Sequence, residues 1–172
     1  MSDKASLNAR LMSTVNRMRR KRRGIRPQGI QRDLKAIGVG FVTAVIAALL
    51  MLIAIKNGIS PLPEPLGLAF AESIFGTKLP LPVGFVFHAA WVIFWTLVYV
   101  RLSPAIRFMP ALYLAAALWV SALVIFMPIA GWGFLGLAVT PKLIVAAIIP
   151  HLVFAVLIWG GCHLVGAAEP VR

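Results

Sequence analysis

Hydrophobic and polar positions in this chain are sorted into blocks. Four stretches, Ala36 to Ile55, Leu79 to Val100, Phe108 to Pro141 and Leu143 to Ala168, contain no Asp, Glu, Lys or Arg. A helix that crosses a bilayer needs about 20 mostly apolar residues, because the hydrocarbon core is roughly 30 Å thick. Backbone groups in lipid find no water, so each crossing segment must close its own hydrogen-bond ladder as a helix. The pattern predicts an all-α integral membrane protein, a four-transmembrane-helix bundle with spans at about 36–56, 83–100, 110–130 and 143–165.

The connections carry their own signals. Asn57 to Pro82 is too apolar for a free aqueous loop, with Leu66, Leu68, Phe70, Ile74 and Phe75 close together. Pro65 suits a first helical position and Gly76 a C-terminal cap, so a short interfacial helix is expected there. Leu79-Pro80-Leu81-Pro82 leads into the second span, which ends at Arg101 with Tyr99 as an interface anchor. Gly131 to Pro141 is a second apolar loop, with Trp132 and Phe134 expected at the interface. Pro150 lies inside the fourth span; it lacks an N–H and crowds the carbonyl of Ala146, which predicts a kink. Gly38, Gly40, Ala44 and Ala48, then Ala115, Ala116 and Ser121, then Gly160 and Gly161, are the small residues that let helices approach closely in lipid. Gly67-Leu68-Ala69 in the first loop is echoed by Gly136-Leu137-Ala138 in the second, a faint internal repeat.

Charge then orients the bundle. Of 17 Lys and Arg against 5 Asp and Glu, 11 basic residues fall in the first 35 positions. With a cytoplasmic N-terminus, 14 basic residues lie inside and only Lys56, Lys78 and Lys142 outside. The positive-inside rule therefore places both termini in the cytoplasm, in a multi-pass protein of the bacterial inner membrane, with the short helix on the periplasmic side. Residues 1–35 form a basic cytoplasmic tail, 36–168 the transmembrane domain and 169–172 a short C-terminus. In the tail, Leu7, Leu11, Val15 and Met18 recur at helical spacing, and Gly24, Pro27 and Gly29 are expected to break that partly amphipathic helix. Arg17, Arg19, Arg20, Lys21, Arg22 and Arg23 are candidate contacts to anionic lipid or to a protein partner. The block carries no zinc-finger spacing or interleaved aromatics, so a nucleic-acid partner is not expected. The apolar stretch after Lys35 is longer than a signal-peptide core of about 7–15 residues, so it reads as a retained span.

Composition changes the picture little: 60% of residues are hydrophobic, and the single cysteine, Cys162, sits in the last span as a small packing residue. Candidate chemistry is sparse. No Asp, Glu, Lys or Arg lies in a span core, which argues against pumps and ion-coupled transporters. Paired carboxylates are missing, and Ser121 has no evident base, so no catalytic residue is assigned and an enzyme is not expected. His88 and His151 remain, five and eight residues into two spans that start from the same side. That is a similar depth, roughly 8–12 Å, with Met51 and Met127 at neighbouring depths. Two imidazoles so placed could hold haem b or, with methionine, a soft metal; equally, each could bond a carbonyl freed by a kink. His163 lies near the inner boundary, away from both. His88, Trp91, Trp95 and Tyr99 share one helix face, which reads as an aromatic seam.

Several pieces together resemble a known pattern: Pro61-Leu62-Pro63-Glu64 after an Ala- and Met-rich first span, Gly84 to His88 as Gly-x-x-x-His, Met127-Pro128-Ile129-Ala130-Gly131 with Gly133-x-x-Gly136-Leu137, and His151. They resemble an uncharacterised bacterial family of four-helix inner-membrane proteins, a domain of unknown function distantly similar to YagU-type proteins. Leu152, Val153 and Phe154 depart from it, being bulkier than the residues that usually follow the fourth-span histidine. The resemblance implies fold and topology and brings no activity. The functional expectation is a non-enzymatic accessory subunit docking onto a larger membrane complex, in contact with the bilayer and with other membrane subunits. The alternatives are a small haem- or metal-binding redox protein using His88 and His151, and a small-solute or lipid-handling protein.

Overall fold

A computed structural model of the chain describes the backbone of residues 2–168 and the side chains of Met12 and of residues 29–168. The chain divides into two units, Met1–Leu34 and Lys35–Arg172. In the first unit the backbone is helical from Ser2, and Gly24, Pro27 and Gly29 do not interrupt it. The expected break is therefore absent: Pro27 removes one N–H from the ladder, and the bonds of its neighbours carry the helix past it. The side chains of Arg17, Arg19, Arg20, Lys21, Arg22 and Arg23 lie outside the described residues.

Among the described residues all regular structure is helical. We label the helices α1 (Ser2–Lys56), α2 (Leu66–Phe75), α3 (Leu81–Leu102), α4 (Phe108–Ile129) and α5 (Lys142–Leu164). Four segments, Gly29–Lys56, Leu81–Leu102, Phe108–Ile129 and Lys142–Leu164, are long and apolar enough to cross a membrane. Only 28% to 33% of the apolar 18-residue stretch of each span is buried inside the protein. Phe41, Phe94, Tyr113, Ile149 and Val156 are left exposed, as lipid-facing surfaces require.

In the second unit, Lys35, Leu102, Phe108 and Leu164 mark one end, and α2 with the loop before α5 marks the other. The Lys35 end is tightly packed through small residues. A Cβ on Gly40 would sit 2.9 Å from Ile93 Cα of α3, and one on Gly161 would sit 2.7 Å from Val39 Cγ1 of α1. Ala36, Ala44, Ala111, Ala115 and Ala155 are buried around these contacts. Gly38 and Gly160 face open space, and Ala116 is exposed, so the small-residue pattern overstates the contacts by those positions. Tyr99 is 2% exposed, and its hydroxyl donates to the Arg107 carbonyl at 2.9 Å. It ties the α3–α4 turn to the bundle and is not an interface anchor; a span-end tyrosine can serve either purpose, and here the turn supplies an acceptor. Lys35 Nζ donates to the Gly166 carbonyl at 3.2 Å, joining the first and last spans.

At the opposite end α2 lies against the start of α3. Pro65 takes the N-cap position and Gly76 closes α2 in the left-handed conformation at φ 66°. The contact with α3 is very close: a Cβ on Gly84 would meet Leu68 Cβ at 2.6 Å, and one on Gly67 would meet the Gly84 carbonyl at 3.0 Å. Within α2, Glu72 is hydrogen-bonded by Lys78 Nζ and by the Leu79 N–H, at 3.0 Å for the latter. Glu64 lies 3.9 Å from the same ammonium. In the second loop Trp132 is buried with Leu123, Met127 and Leu143, whereas Phe134 is exposed. Trp132 thus belongs to the packed interior, contrary to its expected interfacial place. The two Gly-Leu-Ala segments adopt different structures. Gly67 is helical, with Leu68 and Ala69 buried; Gly136 has φ +76°, with Leu137 and Ala138 exposed.

Candidate functional site

Two of the spans are locally broken at the α2 end. In α4 the residues Ala122–Phe126 form a π-helical turn, the kind of distortion that often accompanies functional sites. In α5 the helix is interrupted at Ala147, three residues before Pro150, because proline offers no N–H to the Ala146 carbonyl. Trp119 spans the gap between these helices: its indole N–H donates to the Ile144 carbonyl at 3.0 Å.

These breaks open onto a cavity of about 540 Å³ between α1, α2, α3, α4 and α5. The volume falls within the roughly 300–1,000 Å³ of small-molecule sites. Val45, Ala48, Leu49 and Leu52 of α1 form one wall, and Gly67 and Phe70 of α2 close one side. The origin is packing: α1 and α3 touch at Gly40 and Ile93, and nearer α2 the start of α3 is occupied by Gly67 and Leu68 instead. Leu49, Leu81 and Trp91 line the cavity and are 55%, 44% and 39% exposed, so it reaches the molecular surface beside them.

The structure places His88, His151, Met51 and Met127 on the wall of this one cavity. His163 is elsewhere, exposed and stacked on Trp159 with ring centroids 6.2 Å apart. His151 Nδ1 lies 2.7 Å from the Ala147 carbonyl, one turn earlier in α5. A carbonyl only accepts, so Nδ1 donates in this contact. The ring also lies near the main chain of Leu118 in α4. His88 is half-buried, and its ring approaches the main chain of Ala44 in α1. Its Nε2 is fully enclosed and has no hydrogen-bond partner; among the described residues only Trp95 Nε1 shares that condition. Native interiors leave few such atoms.

Aromatic rings complete the wall. Phe126 sits 4.9 Å from Phe70 and 5.0 Å from Trp91, centroid to centroid. Trp91 also meets Trp95 edge-on at 5.5 Å. The face read as an aromatic seam is thus divided: Trp91 lines the cavity while Tyr99 closes the far end. Among the described residues no group of three or more His, Cys, Asp or Glu could hold a metal ion. Any haem or metal here would rest on the two imidazoles, with Met51 and Met127 in the same wall. Ser121, the one span serine, donates to the Ala117 carbonyl at 2.8 Å within its own helix.

No family model, no curated protein and no solved structure matches the chain.

The cavity itself was missed by reading the sequence. The paired breaks gave half of it away, since Pro150 marks one of them. Nothing in Ala122–Phe126 announces the π-helical turn: no Pro or Gly falls inside it.

Proposed function

We propose that this chain is a non-enzymatic protein of the bacterial inner membrane that holds a lipid-soluble guest between its spans, a small-solute or lipid-handling role. One observation carries the reading: a cavity of about 540 Å³ whose wall is almost wholly apolar, with His88 and His151 as its ionisable side chains. Such a wall offers water little and an apolar molecule a great deal, at about 25 cal/mol for each Å² of apolar surface removed from water. The test is direct. Protein purified in mild detergent and released into native mass spectrometry should carry a stoichiometric organic adduct or take up an added lipid-soluble probe. A protein that stays empty under saturating probe would refute the reading.

A second reading, an accessory subunit docked on a larger membrane complex, has its own support. Ile59, Ile74, Phe75, Phe134 and Leu137 are exposed outside the spans at the α2 end. A haem-binding redox role would use His88 and His151, and an optical spectrum with a Soret band would select it over both. We further propose cytoplasmic termini, with α2 at the periplasmic interface and the basic tail at anionic lipid. The 14-to-3 division of basic residues supports this orientation. A periplasmic reporter fused after Arg172 should be inactive and one fused at Gly76 active; the reverse result reverses the topology.

A further inference from the structure

The length of the cavity and the charges at its mouth narrow the class of guest. Along α3 its wall runs from Leu81 to Val92, about 16 Å at 1.5 Å per residue. It is closed beyond Val92, where a Cβ on Gly40 would lie 2.9 Å from Ile93 Cα. It opens at the α2 end, beside Leu49 of α1 and Leu81, the first residue of α3. A long apolar hollow, blind at one end and open near the span ends at the other, suits a hydrocarbon chain. The polar end of such a molecule stays outside, at the level where the hydrocarbon core gives way to headgroups. Leu49, Leu52 and Lys56 fall at i, i+3 and i+7 on α1, one stripe running from the mouth to the last residue of the helix. Lys56 is exposed, and among the described residues no carboxylate pairs with its ammonium. Nor is it needed to finish the helix: the carbonyls of Ile53, Ala54 and Ile55 already accept from the N–H groups of Asn57, Ile59 and Gly58. Lys78, three residues before Leu81, is differently placed, because Glu72 and Glu64 already neutralise it. Lys56 is therefore the cation on the mouth stripe left to meet an anionic group.

We propose that the cavity receives the hydrocarbon chain of an anionic amphiphile, a chain bearing a phosphate or carboxylate headgroup, and that Lys56 holds the headgroup at the mouth. The proposal rests on the guest reading and specifies its chemistry. The chain enters beside Leu49 and Leu81 and lies along α3 towards Val92. The protein binds this molecule without changing it: no bond is made or broken.

The experiment is a competition on the unmodified full chain in neutral detergent, read by native mass spectrometry. Hexadecyl phosphate, hexadecanol and hexadecyltrimethylammonium are offered at equal concentration; they share a chain and differ in headgroup charge. We expect the phosphate to be preferred roughly fivefold over the alcohol, the size of one lysine's attraction to an anionic headgroup, and the ammonium to bind less than either. Saturable binding of all three alike, or a preference for the ammonium, would overturn the anion assignment and leave the guest reading standing. No saturable binding of any would overturn both. Lys56→Gln should erase the preference while still admitting the alcohol. Lys142→Gln should leave it intact, since that lysine shares an exposed face of α5 with Val145 and Ile149, away from the cavity. Retention of the full preference in a folded Lys56→Gln protein would overturn the assignment. Ala48→Leu, on the wall, should lower uptake of the phosphate and the alcohol together; undiminished uptake would put the chain outside the cavity and overturn the proposal. Dihexadecanoyl phosphatidylglycerol separates the sources: competition as strong as that of hexadecyl phosphate assigns the site to bilayer lipid, and weaker competition assigns it to single-chain acids.

Discussion

The two ends of the bundle are built from the same apolar alphabet and packed to opposite purposes. Near Lys35 the spans meet backbone to side chain at Gly40 and Gly161, alanines fill the seams, and two buried hydroxyls are matched: Thr96 donates to the Val92 carbonyl and Tyr99 to the Arg107 carbonyl. Near α2 two spans are distorted, close glycine packing is confined to the α2–α3 contact at Gly67 and Gly84, and rings and two imidazoles line a hollow. Apolarity alone gives no preference between helix and lipid, so close fit must hold a membrane bundle together. The contrast teaches that one end supplies that fit and frees the other to stay open.

The sharpest way to break this comparison is to add the same side chain to both ends. Gly40→Leu should destabilise the protein by about 3 kcal/mol or more, since the backbone of Ile93 leaves its Cβ no room. Ala48→Leu, on the cavity wall, should change stability by less than about 1 kcal/mol and reduce uptake of guest instead. Reversible unfolding in mixed micelles measures both; equal costs would show that the ends are packed alike. Next in size is Gly84→Ala. Its methyl would meet Leu68 Cβ at 2.6 Å, so α2 must shift from α3. A loss of about 1–3 kcal/mol is expected, with faster proteolysis of the α2 loop and unchanged protection of the turn at Ser103. Tyr99→Phe removes one hydrogen bond at the packed end and should cost about 1 kcal/mol, with no effect on guest binding.

The smallest effect is a pH dependence at the α2 end. The hydrogen bond from Lys78, and then that from the Leu79 N–H, hold the Glu72 carboxyl below its usual range. The stabilisation of this turn is therefore present above the ordinary carboxylate range and is lost as pH falls through the lowered value. Lys78 is raised, first by its hydrogen bond to Glu72, so its share is complete below the ordinary lysine range and fades only above it. Corrected hydrogen exchange at residues 76–79 should be flat from about pH 6 to 9 and faster below about pH 4. Glu72→Gln should show the fast exchange already at neutral pH. An exchange rate indifferent to both changes would mean that the clamp does not hold the turn.

How much of this was legible follows from what each feature depends on. The spans were, because the absence of charge over 20 residues is a property of the chain alone; Leu81–Leu102 exceeds the expected 83–100 by a turn's fraction at each end. The interruption before Pro150 was legible for the same local reason. Tyr99 and Trp132 were misread as interface residues because an aromatic at a span end looks the same whether its neighbour is lipid headgroup or protein. The Gly-Leu-Ala echo failed because three residues do not fix a conformation: neighbours make Gly67 helical and drive Gly136 to positive φ. His88 and His151 could be placed at one depth by counting, but the hollow they share depends on how α2 seats against Gly84, which no periodicity encodes.

That hollow meets the surface beside Leu49, Leu81 and Trp91, residues that belong to spans and not to water-facing loops. On the proposed reading, a guest arriving there would travel in two dimensions, through the sheet of acyl chains. Occupancy would then follow the mole fraction of guest dissolved in the bilayer rather than its concentration in the aqueous phase. For a compound that is nearly insoluble in water, a modest intrinsic affinity would suffice, because the membrane has already gathered it to the doorway. Diluting the membrane with inert lipid, at constant total guest, should unload the protein as effectively as a competitor does.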